Sequence, residues 1–220
     1  PCSNPFYLSA VCQEWRDLAL SSSKLWFILD IHFDRDSRTN ERHAKDDLRA
    51  RCRKQCELVE IAISRAGDRA LTVAIQLDEN VLDPSNEIAL RVARIIAKHA
   101  HKMGKLSTPL YPAWFRILQE GQFKALELVD LRVPGWPRAQ SVLTAGQYLG
   151  GTLDLTSCTE LKRVQLHGGL ALNDGVALSW KNVVEAKFLG LPLERFASVL
   201  EQVGHCEHLN LSGHYQNLPS

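Results

Sequence analysis

The chain alternates between two hydrophobic periods, three-to-four and two, from near its first residue to near its last. Leu8, Val11, Cys12, Trp15, Leu18 and Ala19 recur in steps of three and four, with Gln13, Glu14, Arg16 and Asp17 opposite. That spacing predicts an amphipathic helix over 8–19, ended by Ser21-Ser22-Ser23. After Leu25-Trp26, the residues Phe27, Leu29, Ile31 and Phe33 alternate with Ile28, Asp30 and His32, which predicts a strand over 27–33. Leu58, Val59, Ala62, Ile63 and Ala66 followed by Gly67 predict a helix of roughly 45–66 with a glycine stop. Leu71, Val73, Ile75 and Leu77 then alternate as a second strand.

From there one short pattern returns. The template apolar-x-x-apolar-x-apolar, its last two apolar residues on the inward face of a short strand, fits Leu126, Val129, Leu131. It fits again at Leu161, Val164, Leu166, at Val183, Ala186, Phe188, and at Cys206, Leu209, Leu211. Met103, Leu106, Thr108 is a degenerate copy. The starts lie 23, 35, 22 and 23 residues apart, and the long interval carries Pro134-Gly135-Trp136-Pro137 and Gly150-Gly151, which read as an insertion.

Helical stretches fall between the strands. One is marked by Ile88, Val92, Ile95 and Ile96, another by Trp114, Phe115 and Leu118. A third, 192–203, has Pro192 at the first helical position, then Leu193, Phe196, Ala197, Leu200 and Val203 on one face, and Gly204 as stop. Strand, turn, helix, turn at about 20–29 residues is the period of a leucine-rich repeat. A single unit cannot bury its own apolar stripe, so neighbours must stack. The expected fold is therefore α/β: a leucine-rich-repeat-like solenoid of right-handed strand–helix repeats with a parallel sheet. Its four clear strands are expected to lie side by side in chain order.

Composition narrows the class. In 220 residues, 45% hydrophobic and 23% charged is ordinary for a folded chain, and a formal net charge of +1 offers no general field for nucleic acid or anionic membrane. No apolar run approaches the ~20 residues that span a bilayer, and no targeting segment is recognisable. Six scattered cysteines (Cys2, Cys12, Cys52, Cys56, Cys158, Cys206) are sparser than in a disulfide scaffold, so reduced thiols in a cytoplasmic or nuclear protein are expected. The apolar run beginning almost at Pro1 and the unfinished periodicity at the other end read as a fragment, truncated at both ends.

The segment LSAVCQEWRDLALSSSKLW, residues 8–26, resembles the second half of an F-box, in which a Val-Cys-x-x-Trp-Arg helix leads to a Leu-Trp pair. LVEIAISRAGDRALTVAIQL (58–77) and LSWKNVVEAKFLGLPLERFASVLEQVGHCEHLNLSG (178–213) resemble the fungal F-box family with leucine-rich-repeat tails. The resemblance implies residues 1–26 as a partial F-box and 27–220 as an irregular solenoid. It implies a substrate-recognition subunit of an SCF-type cullin–RING ubiquitin ligase, without catalysis or cofactor of its own. Its partners would be a Skp-type adaptor and an unidentified protein target. The Leu-Pro-x-Glu segment and apolar helix that normally open an F-box do not occur here, which puts adaptor binding by this chain alone in doubt.

Carried over by resemblance, Leu8, Val11, Trp15, Leu25 and Trp26 form the adaptor-facing or F-box core set. The competing reading is that they only seal the first strand. Side chains flanking the inward residues of the strands alternate to the other face. These are Asp130 and Arg132; Arg163, Gln165 and His167; Glu185 and Lys187; and His208 and Asn210, a mixed polar ladder suited to a protein target. An ordinary solvated sheet face is the alternative.

Rival chemistries find less support. Cys52-x-x-x-Cys56 with His43, His205-Cys206-x-His208 and His99-x-His101 have ligand chemistry but no spacing that closes a four-ligand zinc site. Gly-x-Ser-x-Gly, Gly-x-x-x-x-Gly-Lys, His-Glu-x-x-His and Gly-x-Gly-x-x-Gly are all absent from the sequence. Arg35 to Lys54 carries eight Lys/Arg and four Asp/Glu with no aromatic interleaved, so a solvated helix face is expected there instead of a nucleic-acid site. A free-standing leucine-rich-repeat scaffold is the alternative to the ligase receptor.

Overall fold

The structure is a computed structural model that describes residues 10, 12–33, 44–77, 85–134, 149–167, 175–191 and 196–213. In chain order the elements are α1 (Gln13–Ser21), β1 (Ile28–Phe33), α2 (Ala44–Ala66), β2 (Leu71–Leu77), α3 (Glu87–Lys98), β3 (Met103–Pro109), α4 (Pro112–Leu118) and β4 (Leu128–Arg132). Then follow β5 (Leu153–Leu155), β6 (Arg163–His167), β7 (Val176–Leu178), β8 (Glu185–Leu191), α5 (Phe196–Gln202) and β9 (His208–Gly213).

Seven strands form one sheet in the order β1-β2-β3-β4-β6-β8-β9, each pair parallel. A parallel neighbour requires a connection that returns the chain to the same end of the sheet. Here α2, α3, α4 and α5 supply four of the six returns. Among the described residues, the other two returns carry β5 and β7, which pair with each other, Leu153 against Val176 and Leu155 against Leu178. The inward strand residues, the apolar faces of α2, α3 and α4, and the β5–β7 pair share one continuous core on one side of the sheet.

Period-two burial produces that core. Leu71, Val73 and Ile75 are buried on β2, Val129 and Leu131 on β4, Val164 and Leu166 on β6, and Ala186 and Phe188 on β8. The degenerate copy obeys the same rule: Met103, Leu106 and Thr108 are buried on β3, and the Thr108 hydroxyl donates to the carbonyl of Pro109 at 3.1 Å. On α3, Ile88, Val92, Ile95 and Ile96 are buried, and Asn86 caps the helix by accepting from the Ile88 amide at 3.0 Å. Helix α2 ends at Gly67, whose φ of +62° is a left-handed stop. Gly121 sits where chains approach closely; a Cβ there would lie 2.9 Å from Phe123 and 3.0 Å from Ala100.

Successive strand motifs are also tied to one another. Cys158 Sγ donates to the Phe123 carbonyl, Asn182 Nδ2 to Thr159 O at 2.6 Å, and Cys206 Sγ to Val183 O at 3.4 Å. Cys12, Cys158 and Cys206 are thiols, and burial pushes the Cys158 thiol up to about 11.

Several expectations need correction. Helix α1 starts at Gln13, not residue 8, and Leu8 and Val11 lie outside the described residues. Of the described members of the predicted apolar stripe, Cys12, Trp15 (49%) and Leu18 (64%) are exposed and Ala19 is buried. The buried Trp26 ring is covered by the Arg65 guanidinium of α2 at 4.7 Å, and its Nε1 donates to Ala19 O at 2.6 Å. On α5, Val199 is buried while Ala197 and Leu200 are exposed, because the helix meets the core through Phe196, Val199 and Val203. Pro192 and Leu193 lie outside the described residues. Leu211, expected on the inward face, and Cys206, which opens the same motif, are only half-buried, since β9 has a strand neighbour on one side alone among the described residues. Within the expected insertion, 135–148 lie outside the described residues, and β5 is a strand that the periodicity did not reveal.

Candidate functional site: the outward face of the sheet

The parallel register arranges the outward side chains in rows across the sheet. One row runs Thr72, Lys105, Leu128, Arg163, Glu185, His208. The next runs Ala74, Ser107, Asp130, Gln165, Lys187, Asn210. A third joins Pro109, Arg132, His167, Leu189 and Ser212. All nine residues expected on the polar ladder therefore occupy neighbouring positions on one face. Arg163, Glu185, His208 and Asn210 are exposed; Asp130, Arg132, Gln165, His167 and Lys187 are half-buried.

Four of the half-buried members, Asp130, Arg132, Gln165 and His167, form a linked cluster at mid-sheet with Ser107. Arg132 Nη2 donates to Ser107 Oγ at 2.6 Å and lies 3.2 Å from Asp130 Oδ2, which also accepts from Ser107 Oγ at 2.7 Å. His167 Nε2 lies 3.2 Å from Asp130 Oδ1, which is buried. Gln165 Nε2 approaches the same imidazole nitrogen at 2.5 Å. A carboxylate and an amide N–H thus compete for one ring nitrogen, which satisfies the amide only when it is unprotonated. Arg132 Nε is buried without a hydrogen-bond partner.

Burial is the main cause that holds the His167 imidazole below its ordinary range. Arg132 and Lys187 push the same way, against the opposing pull of Asp130. Toward the neighbouring strand, Arg163 Nε and Glu185 Oε2 are 4.0 Å apart and both more than half exposed, a pair worth about 0–1 kcal/mol.

The cluster holds a hydroxyl, an imidazole and a carboxylate, but in an order unsuited to nucleophilic catalysis. Asp130 stands between Ser107 and His167, one oxygen toward each, so the imidazole is not placed to take the hydroxyl proton. What the arrangement does is fix a guanidinium on an open surface.

A second surface lies on α1, where Trp15 and Leu18 project from one side of a helix whose one buried residue is Ala19. Of the expected F-box set, Trp26 is fully buried, Leu25 half-buried against the core and Trp15 exposed.

Ser107 and Lys105 belong to the face and were missed by sequence reasoning. The signal was present: each lies beside the inward Leu106 of the degenerate motif, where period two turns it outward. Among the described residues, no group of three or more His, Cys, Asp and Glu side chains could hold a metal ion, and no helix is long and apolar enough to cross a membrane. In comparisons with known proteins, no family model, no curated protein and no solved structure matches the chain.

Proposed function

We propose that the chain is the target-recognition part of an SCF-type cullin–RING ubiquitin ligase. It would bind a protein substrate on the outward face of its sheet and be carried by a Skp-type adaptor through the α1 region. In this reading the strand–connection units are leucine-rich-repeat-like and wind as a right-handed solenoid, the hand that parallel crossovers favour. The chain supplies binding energy and placement, and ubiquitin transfer occurs on other subunits.

One observation carries the ligase link. The helix whose sequence resembles the F-box turns Trp15 and Leu18 to solvent, although these are among its largest apolar side chains. Exposed Trp and Leu side by side are what a docking helix offers a partner. The rows of polar side chains across the sheet support the target-binding half of the proposal, since stacked units create extended binding surfaces.

Those rows span the sheet independently of α1, which favours a second reading: a free-standing repeat scaffold for protein interactions with no ligase link. Adaptor binding separates the two. The chain extended at its N-terminus by an F-box Leu-Pro-x-Glu segment and apolar helix should retain purified Skp adaptor in a pull-down. A folded, extended chain that retains none would leave the scaffold reading.

A further inference from the structure

Across the outward positions of β3, β4, β6, β8 and β9 there are four cations, Lys105, Arg132, Arg163 and Lys187, and two carboxylates, Asp130 and Glu185. Both carboxylates are already engaged, Asp130 by Ser107 and Arg132, and Glu185 by Arg163. Lys105 and Lys187 make no ion pair among the described residues. The central strands therefore carry unbalanced positive charge although the whole chain is close to neutral.

Arg132 and Lys187 flank the pair Gln165 and His167. Arg132 is the register partner of His167 on one side, and Lys187 is the partner of Gln165 on the other. Arg132 is also held in place before any ligand arrives, through Nη2 to Ser107 and Asp130, while 41% of its side chain stays exposed. A cation whose rotamer is already fixed loses less entropy on binding than a free one, which is how a few anchors come to dominate an interface.

We infer that this face takes an acidic segment of a protein partner, with a carboxylate side chain seated between Arg132 and Lys187 over His167 and Gln165. The inference rests on the proposal that the sheet face is the target-binding surface and adds the chemistry of the target. Repulsion of such a ligand by Asp130 is reduced by Arg132 at 3.2 Å, and Asp130 is the more buried partner of that pair, its side chain 16% exposed against 41% for Arg132. A bound carboxylate would also add a negative charge beside His167 and raise its pKa.

Three short peptides, Glu/Gly/Ser, Gln/Gly/Ser and Lys/Gly/Ser, would be titrated into the isotope-labelled full chain and followed by amide and imidazole NMR. The Glu peptide should shift the amides of Arg132, Gln165, His167 and Lys187, weaken as salt is added, and raise the His167 pKa. Lys187→Glu should cut its affinity about tenfold and turn preference toward the Lys peptide, and Lys187→Gln should give an intermediate loss. Because Lys187 has no ion-pair partner to strand among the described residues, these variants test the site without the folding risk of Arg132→Gln. If the Gln or Lys peptide shifts the same amides as strongly as the Glu peptide, acidic preference is overturned while the face remains a binding surface. If none of the three moves these amides, both the acidic preference and the binding face are overturned.

Discussion

Cys206 Sγ donates to the carbonyl oxygen of Val183, 3.4 Å away, and the two residues start successive copies of the same strand motif. Asn182 reaches Thr159 across the same offset of 23 residues. A side chain opening one unit thus satisfies a carbonyl opening the unit before it, and for Cys206 and Val183 the 23-residue motif interval is also the hydrogen-bonding interval. Backbone bonds repeat the link: the Val184 amide donates to Lys162 O at 2.9 Å and the Glu207 amide to Val184 O at 3.0 Å.

Leu166 lies at the centre of this stack, between Leu131 and Phe188 in register, and is buried. Leu166→Ala should cost about 2–5 kcal/mol, as for other buried leucines. Leu211→Ala should cost less, since Leu211 is only half-buried on β9. Urea unfolding of the two variants checks the order, and equal losses would contradict the burial described.

Much of this was legible in the sequence, and the reasons are local. The phase of the central strands was unambiguous, because Val129, Leu131, Val164 and Leu166 alternate with Asp130, Arg132, Arg163 and Gln165, and period two then has one solution. The end of α2 was legible because Gly67 stands where a helix stop needs positive φ. Trp15 was not, since an amphipathic stripe shows which face is apolar but not whether anything covers it. Strand β5 was hidden for another reason: three residues are too few to show a period, and its partner β7 is distant in sequence. The polar ladder was readable in membership but not in bonding, because the Ser107–Asp130–Arg132 links depend on three-dimensional register.

Thiol reactivity should rank by burial. Cys12 is exposed, Cys206 half-buried and Cys158 buried with its thiol pushed to about 11. Iodoacetamide at pH 8 should label Cys12 first, Cys206 more slowly and Cys158 last, as read by peptide mass spectrometry. Because the folded pKa of Cys158 lies above its ordinary 9.0, its contribution to stability is complete below pH 9 and lost as pH rises toward 11. Cys158→Ala should flatten that alkaline loss.

His167 has the opposite sign. Its pKa is lowered, chiefly by burial, so the folded chain resists protonation more than the unfolded chain does. Stability should therefore fall as pH drops through the ordinary value of 6.5. Removing the neighbouring charge by Lys187→Gln should raise the His167 pKa, and Asp130→Asn should lower it further. Imidazole proton shifts followed by NMR titration would show both; a rise in Asp130→Asn would mean the carboxylate does not act on this ring.

Arg163 is 57% exposed on its side chain, whereas Lys187 is half-buried. Even so, neither supports the core, and Arg163→Glu with Lys187→Glu should leave the far-ultraviolet circular dichroism unchanged. Binding of an acidic partner should be lost in the same variant. A cooperative unfolding midpoint far below that of the parent chain would show that the face is structural.

Adaptor binding by the N-terminally extended chain, with and without Trp15→Ala plus Leu18→Ser, tests the central claim most directly. Both side chains are exposed, so the double variant should unfold within about 0.5 kcal/mol of its parent. The account predicts that the parent binds purified Skp adaptor in isothermal titration calorimetry and that the double variant loses most of that affinity. Lys187→Glu, on the other surface, should bind the adaptor as the parent does. No heat of binding from a folded parent, or equal affinity in the double variant, would contradict it.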